Sequence, residues 1–190
     1  MQRIISITLI LIIFLSSISV VCAQNNDSDP YVPTRYGGAL LIGGAYDPDS
    51  TGLVLLQGQM LIDYDRVFWH AAPEALRLKL EVNGGLTMDG RYRGLFSLNM
   101  MALYYLENFS MGQFLPYIEG GIGAIYTDFQ VEGQGSRINF NPQLGAGLEY
   151  PLKSGAAVTA GFRLHHISNG DLLEENRGIN SALLVIGYLF

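Results

Sequence analysis

Asn139-Phe140-Asn141-Pro142-Gln143-Leu144-Gly145-Ala146-Gly147-Leu148-Glu149-Tyr150 separates cleanly when read at every second residue. One set is Phe140, Pro142, Leu144, Ala146, Leu148 and Tyr150. The other is Asn139, Asn141, Gln143, Gly145, Gly147 and Glu149. Successive side chains on a strand point to opposite faces, so this stretch predicts a strand with one apolar and one polar face.

The same period recurs along the chain. Leu76, Leu78, Leu80 and Val82 oppose Arg77, Lys79, Glu81 and Asn83. Phe96, Leu98, Met100, Ala102 and Tyr104 form another apolar face, and Ile118, Gly120, Ile122, Ala124 and Tyr126 oppose Tyr117, Glu119, Gly121 and Gly123. Eight apolar-rich segments follow, near 36–46, 52–63, 77–88, 92–106, 115–128, 138–150, 157–169 and 179–190; the first two alternate least clearly. Many exceed the usual length of soluble strands and suit about 9–11 tilted residues crossing a bilayer. Asp47-Pro48-Asp49, Asp89-Gly90, Gly133-Gln134-Gly135 and Lys153-Ser154-Gly155 separate them as turns.

Alternation leaves open which face is inside: a soluble barrel turns its apolar face inward, a membrane barrel outward. Three features favour outward. The polar faces carry Asn, Gln and Gly and few Lys, as a packed polar interior would. Tyr104, Tyr126, Phe140, Tyr150 and Tyr188 sit near segment ends on the apolar face, as an aromatic girdle would. The last segment closes on Tyr188 and Phe190 and resembles the C-terminal signature of bacterial outer-membrane barrels. Backbone groups in lipid must be paired internally, which for strands requires closure. The expected fold is all-β: an eight-stranded antiparallel up-and-down transmembrane β-barrel over 36–190, with a soluble lipocalin-like barrel as the alternative.

Composition narrows the function. Charged residues make up 15% of the 190-residue chain, against roughly 25–35% for a soluble surface. A net charge of −6 excludes a basic nucleic-acid footprint, and a single Cys excludes a disulfide scaffold or a cysteine-based zinc site. Arg3, the apolar run Ile4–Val21 and Val21-Cys22-Ala23 read as a secretory signal over 1–23; a membrane anchor and a lipoprotein signal ending at Cys22 are the alternatives. Residues 24–35 read as a flexible lead-in. With both termini on the periplasmic side, 47–51, 89–91, 129–137 and 170–178 are extracellular connections, and 64–76 is a longer periplasmic link with a helical turn.

Chemistry gathers near the C-terminus. In the seventh segment Val158, Ala160, Phe162, Leu164, His166 and Ser168 share one face. His166 and Ser168 therefore lie side by side at the outer end of a lipid-facing stripe, a base beside a weak nucleophile. Ionisable groups facing lipid are costly and usually functional; the alternative is a pair of interfacial polar residues. His165 points inward, where Arg163, Glu119 and Glu149 are expected to share a polar network. Counting back from Phe190 puts Asn180 on the outward face of the neighbouring strand, where its amide oxygen can hold an imidazole N–H. Outward Phe162, Leu164, Leu184 and Ile186 are candidates for an acyl groove, or plain lipid contacts. Arg177 is a candidate for meeting a lipid phosphate, or a solvated loop residue.

His166-Ile167-Ser168-Asn169-Gly170, followed by Asn176-Arg177-Gly178-Ile179-Asn180 and a last strand ending at Phe190, resembles the lipid A 3-O-deacylase (PagL) family. The run Pro116–Gly123 and Gly145-Ala146-Gly147 resemble it too. The resemblance implies an eight-stranded outer-membrane barrel that hydrolyses the ester-linked 3-acyl chain of lipid A on its lipid-facing wall. It implies Ser168 as nucleophile, His166 as general base, and Asn169 and Asn176 in oxyanion or orienting roles. The family's triad glutamate falls on Asn180. Three options follow: an active enzyme with an Asn in the triad, one in which Glu174 or Glu175 supplies the carboxylate, and a weak or inactive homologue. No metal or cofactor is expected. The expected partners are lipid A, lipopolysaccharide and outer-membrane lipid, with a homodimer as an option and no nucleic acid. The rival class is a non-enzymatic structural or adhesin-like outer-membrane barrel.

Overall fold

A computed structural model describes residues 32–48, 50–68, 71–88 and 91–190. The strands are β1 Arg35–Asp47, β2 Thr51–Asp63, β3 Leu76–Met88, β4 Gly94–Tyr105, β5 Leu115–Thr127, β6 Ile138–Phe140, β7 Gln143–Pro151, β8 Ala157–Ile167 and β9 Ile179–Leu189. Neighbours pair antiparallel around a ring, and β1 pairs both β2 and β9. β4 pairs β5, which pairs β6 and β7, and β7 pairs β8. β6 and β7 are two pieces of one stave interrupted at Asn141-Pro142, where proline has no N–H to give to the ladder. The result is a closed eight-staved barrel, and closure leaves no open sheet edge. Tyr36 and Phe190 complete the seam by exchanging both backbone hydrogen bonds, at 3.1 and 2.8 Å.

The two faces are now assigned. Leu98 is 56% exposed, Leu144 63% and Ile186 62%, whereas Arg163 and Asn141 are each 0% exposed. The apolar set covers the outside and the polar set fills the inside, as lipid demands. Tyr104, Tyr126, Phe140, Tyr150 and Tyr188 are all exposed on this outer wall.

The interior is layered rather than uniformly polar, which corrects the expectation of a polar filling throughout. Toward the end carrying the 168–178 connection, here the outer end, Leu41, Leu53, Leu55, Leu95, Ile125, Phe129, Ile167, Ile179, Leu183 and Val185 form an apolar plug. This explains the weak alternation of β1 and β2: their inward leucines belong to the plug, so both faces of those strands are apolar there. At the other end Leu61, Leu103, Tyr105, Tyr117 and Leu189 form a second plug.

Between the plugs lies a buried ionic network. Arg163 donates to both carboxylate oxygens of Glu81 at 2.9 Å and through Nε to Glu119 at 3.0 Å. Lys79 Nζ lies 3.0 Å from Glu81 and 2.9 Å from Glu119. Two cations thus meet two carboxylates, and Gln143 and Asn99 add further hydrogen bonds. Glu149 does not join this network. It pairs with Arg35 at 2.9 Å and accepts from Tyr105 at 2.7 Å, because on β7 it lies four residues beyond Gly145, the partner of Arg163. His165 is buried and meets Asn141 at 3.4 Å.

Boundaries shift slightly from the sequence reading. Arg35 opens β1, and the Val32 N–H donates to Asp63 at 2.7 Å, so the barrel claims the end of the expected lead-in. The rest of that lead-in up to residue 31, and the expected signal over 1–23, lie outside the described residues. The first outer connection is only 48–50, because β1 and β2 run to Asp47 and from Thr51. The 64–76 link does contain a helical turn, α1, at Tyr64–Phe68.

Candidate active site

β8 presents Arg163 and His165 inward and Phe162, Leu164 and His166 outward, so one strand serves both the ionic core and the outer wall. His166 pairs with Asn180 across the β8–β9 ladder. Ser168 lies just past β8 and forms an isolated antiparallel bridge with Phe140. Directly paired residues share a face, so Ser168 stands on the outer wall with Phe140. The backbone holds it there: Ser168 N–H donates to Phe140 O at 3.0 Å, and Phe140 N–H returns a bond at 2.8 Å.

The imidazole is held at one nitrogen. His166 Nδ1 lies 2.6 Å from Asn180 Oδ1. Oδ1 can only accept, so Nδ1 carries a proton, and in the neutral ring the lone pair is on Nε2. The expected partnership of His166 and Asn180 is therefore present. Among the described residues no hydrogen bond joins Ser168 Oγ to His166; bonds between nucleophile and base commonly tighten only once substrate is seated.

A residue that sequence reading missed stands behind Asn180. Asp47 Oδ2 accepts from Asn180 Nδ2 at 2.8 Å, and Asp47 Oδ1 accepts from Arg177 at 2.6 Å. Simple alternation from the inward Leu41 and Ala45 would send Asp47 inward. A β-bulge between Ala45 and Asp47 adds Tyr46 to β1 and aligns Asp47 with Asn180. Bulges re-aim side chains in this way. Arg177 accordingly has an anionic partner on β1 rather than standing as an unpaired loop cation.

The loop after Ser168 is built by its asparagines. Asn176 Oδ1 accepts the Asn169 N–H at 2.7 Å, and the Asn176 amide donates to Asp171 at 2.6 Å. Buried Asn169 spends its two amide hydrogens on the carbonyls of Glu175, at 2.7 Å, and Gln134, at 3.2 Å. Both asparagines are therefore placed to orient the loop, and the Asn169 amide has no hydrogen left over for an oxyanion. Glu174 and Glu175 are exposed, and among the described residues neither carboxylate bonds His166. The carboxylate next to Asn180 is Asp47.

Two glycines shape the surroundings. A Cβ on Gly178 would lie 2.5 Å from His166 Cε1 and 3.1 Å from Nε2, so the ring occupies the space that glycine leaves. Gly135, at φ +72°, sits where a Cβ would strike the Glu175 carbonyl. That contact and the Arg177 N–H to Gly133 O bond, at 2.6 Å, brace the 168–178 loop with the 128–137 loop. Below the site, Phe162 faces Leu184 and Leu164 faces the smaller Ala182, with Ile186 beside them, an apolar strip running down the wall.

A model of the family described as Lipid A 3-O-deacylase (PagL) matches residues 62–189. The lipid A deacylase PagL of Pseudomonas aeruginosa is 29% identical over 177 residues, covering 90% of each chain. Among solved structures, the outer membrane enzyme PagL matches with a TM-score of 0.61 at 24% identity, over 80% of this chain and 97% of that one. Neisserial surface protein A matches with a TM-score of 0.62 at 14% identity, over 85% and 98%. Both structural likenesses are of fold.

Proposed function

The chain belongs to the lipid A 3-O-deacylase (PagL) family, and from that premise we propose that it hydrolyses the 3-O-linked acyl ester of lipid A in the outer membrane, with Ser168 as nucleophile and His166 as base. The observation that carries the reading is His166 itself: an imidazole on the outer wall with Nδ1 bound to Asn180, two residues along the same face from Ser168. Ser168 Oγ attacks the acyl carbonyl carbon while its proton passes to Nε2. The sugar oxygen then leaves with that proton, and water attacks the acyl-enzyme by the reverse use of His166.

The negative charge that develops on the carbonyl oxygen needs fixed donors. The backbone N–H groups of Gly170 and Asp171 directly follow Ser168-Asn169, and among the described residues neither makes a backbone hydrogen bond. Both residues have positive φ, 65° and 61°, a turn that Asn169 and Asn176 hold in shape. Asn169 and Asn176 thus act by orienting these donors. No deep pocket is required, because the acyl chain already lies along the barrel wall. Phe162, Leu164, Leu184 and Ile186 line its course.

The test is mass spectrometry of lipid A from cells with and without the protein. Cells carrying the intact chain lose the 3-O acyl group and release 3-hydroxy fatty acid. Ser168→Ala abolishes the release while the barrel keeps its heat-modifiable gel mobility. Undiminished release by that variant removes Ser168 from the mechanism; intact lipid A with the unaltered chain makes this a non-enzymatic barrel.

A further inference from the structure

Asp47 touches neither Ser168 nor His166, yet it determines what Asn180 offers to the imidazole. An amide side chain can be turned either way, with oxygen or nitrogen toward His166. Turned with nitrogen inward, Asn180 would donate to Nδ1 and force the histidine proton onto Nε2, where it blocks uptake of a proton from serine. Turned the other way, its oxygen accepts Nδ1–H and leaves Nε2 free. A carboxylate only accepts. With Asp47 Oδ2 2.8 Å from the Asn180 amide nitrogen, the nitrogen must face Asp47 and the oxygen must face His166. The opposite turn would set the amide oxygen against the carboxylate. Arg177, 2.6 Å from the other Asp47 oxygen, holds that carboxylate in place.

We infer that Asp47 is a positioning residue for the reaction, acting through Asn180 to keep the proton on Nδ1 of His166. The inference deepens the deacylase reading and rests on it for its meaning in turnover. It also explains how a neutral Asn can stand at this place. The loss when a neutral amide replaces the carboxylate of a serine-protease triad, about 10⁴-fold, comes chiefly from the wrong tautomer. Here a second carboxylate, delivered by the β1 bulge, removes the ambiguity. Asp47 lies outside the 62–189 stretch matched by the family model.

The test uses the full chain in detergent with purified lipid A. It compares the parent, Asp47→Ala, Asp47→Asn, Asn180→Glu and the double Asp47→Ala/Asn180→Glu variant, with retained heat-modifiable mobility as the folding control. Asp47→Ala lowers kcat by about 10- to 100-fold with little change in KM, the range typical of the groups that orient metal-bound imidazoles. Asp47→Asn, which keeps the shape but can present either an acceptor or a donor, falls between. A carboxylate at position 180 accepts from Nδ1–H whichever way it turns, so in the Asn180→Glu background most of the Asp47→Ala loss disappears as coupling between the two sites. Equal losses in both backgrounds, or no loss in the parent, overturn the inference.

Nitrogen-15 NMR of the His166 ring gives a readout independent of substrate. The parent holds the Nδ1–H form, and Asp47→Ala admits the Nε2–H form; a tautomer indifferent to Asp47 overturns the inference even if the chain is active. If the parent releases no fatty acid while its tautomer still depends on Asp47, the deacylase reading fails and the relay stands.

Discussion

Gly178 shows how much of this site is decided by a side chain that is missing. The His166 ring lies where a Cβ on residue 178 would be, 2.5 Å from Cε1. Gly178→Ala therefore displaces the ring from Asn180 while touching little else. A misplacement of about 1 Å can cost on the order of 100-fold in turnover. We expect a drop in kcat of about that size with the barrel intact, read by fatty-acid release and gel mobility in parallel; an unchanged rate would mean that the ring position is not critical. The same scale explains why Asp47 escaped the sequence. Period two assigns it to the inward set of Leu41, Gly43 and Ala45, and only the extra residue Tyr46 brings it level with Asn180.

At the scale of the element, β8 and β9 each carry two incompatible environments on opposite faces. β9 buries Ser181, Leu183, Val185 and Leu189 and exposes Leu184, Ile186 and Tyr188. Leu184 is 63% exposed and pairs with Phe162 at the middle of the wall. If that wall meets hydrocarbon, Leu184→Arg costs about 2–4 kcal/mol of folding free energy. Urea-titrated folding into lipid vesicles measures it. A change within about 0.5 kcal/mol, ordinary for a wetted surface substitution, would mark a wall in water and remove the acyl strip beneath the site.

Across the whole molecule the barrel is held by a neutralised charge cluster between two apolar plugs. Arg163 is its hub, with side chain fully buried against Glu81 and Glu119. Such clusters need not add net stability over an apolar core, but removing one partner strands the others. Arg163→Met leaves two buried carboxylates with Lys79 alone. It should cost about 3–5 kcal/mol, seen as a lower unfolding midpoint in detergent. Because Arg163 faces away from His166, fatty-acid release per folded molecule should hold. A loss of release at full folding would tie the core directly to the chemistry.

Period-two alternation, segment count and aromatic positions sufficed for the eight-staved barrel, its outward apolar face and the outward placing of His166, Ser168 and Asn180. All of these follow from local geometry, since each residue's face is set by counting along one strand. The first two strands read poorly because their inward residues pack into an apolar plug, and plugs are made by several strands meeting. Counting along the strands groups Glu149 with Arg163 because both point inward, but height within the barrel depends on strand stagger. The sequence by itself sorted the side chains into two faces, because a pleated strand leaves a side chain only two directions, and its polar and aromatic content turned the apolar face outward. Only the tertiary structure decided that Asp47 stands behind Asn180 and that Gly178 makes room for the imidazole. Those neighbours come from distant or turning parts of the chain, and their positions depend on ring closure, on the bulge in β1 and on the loop that two asparagines hold.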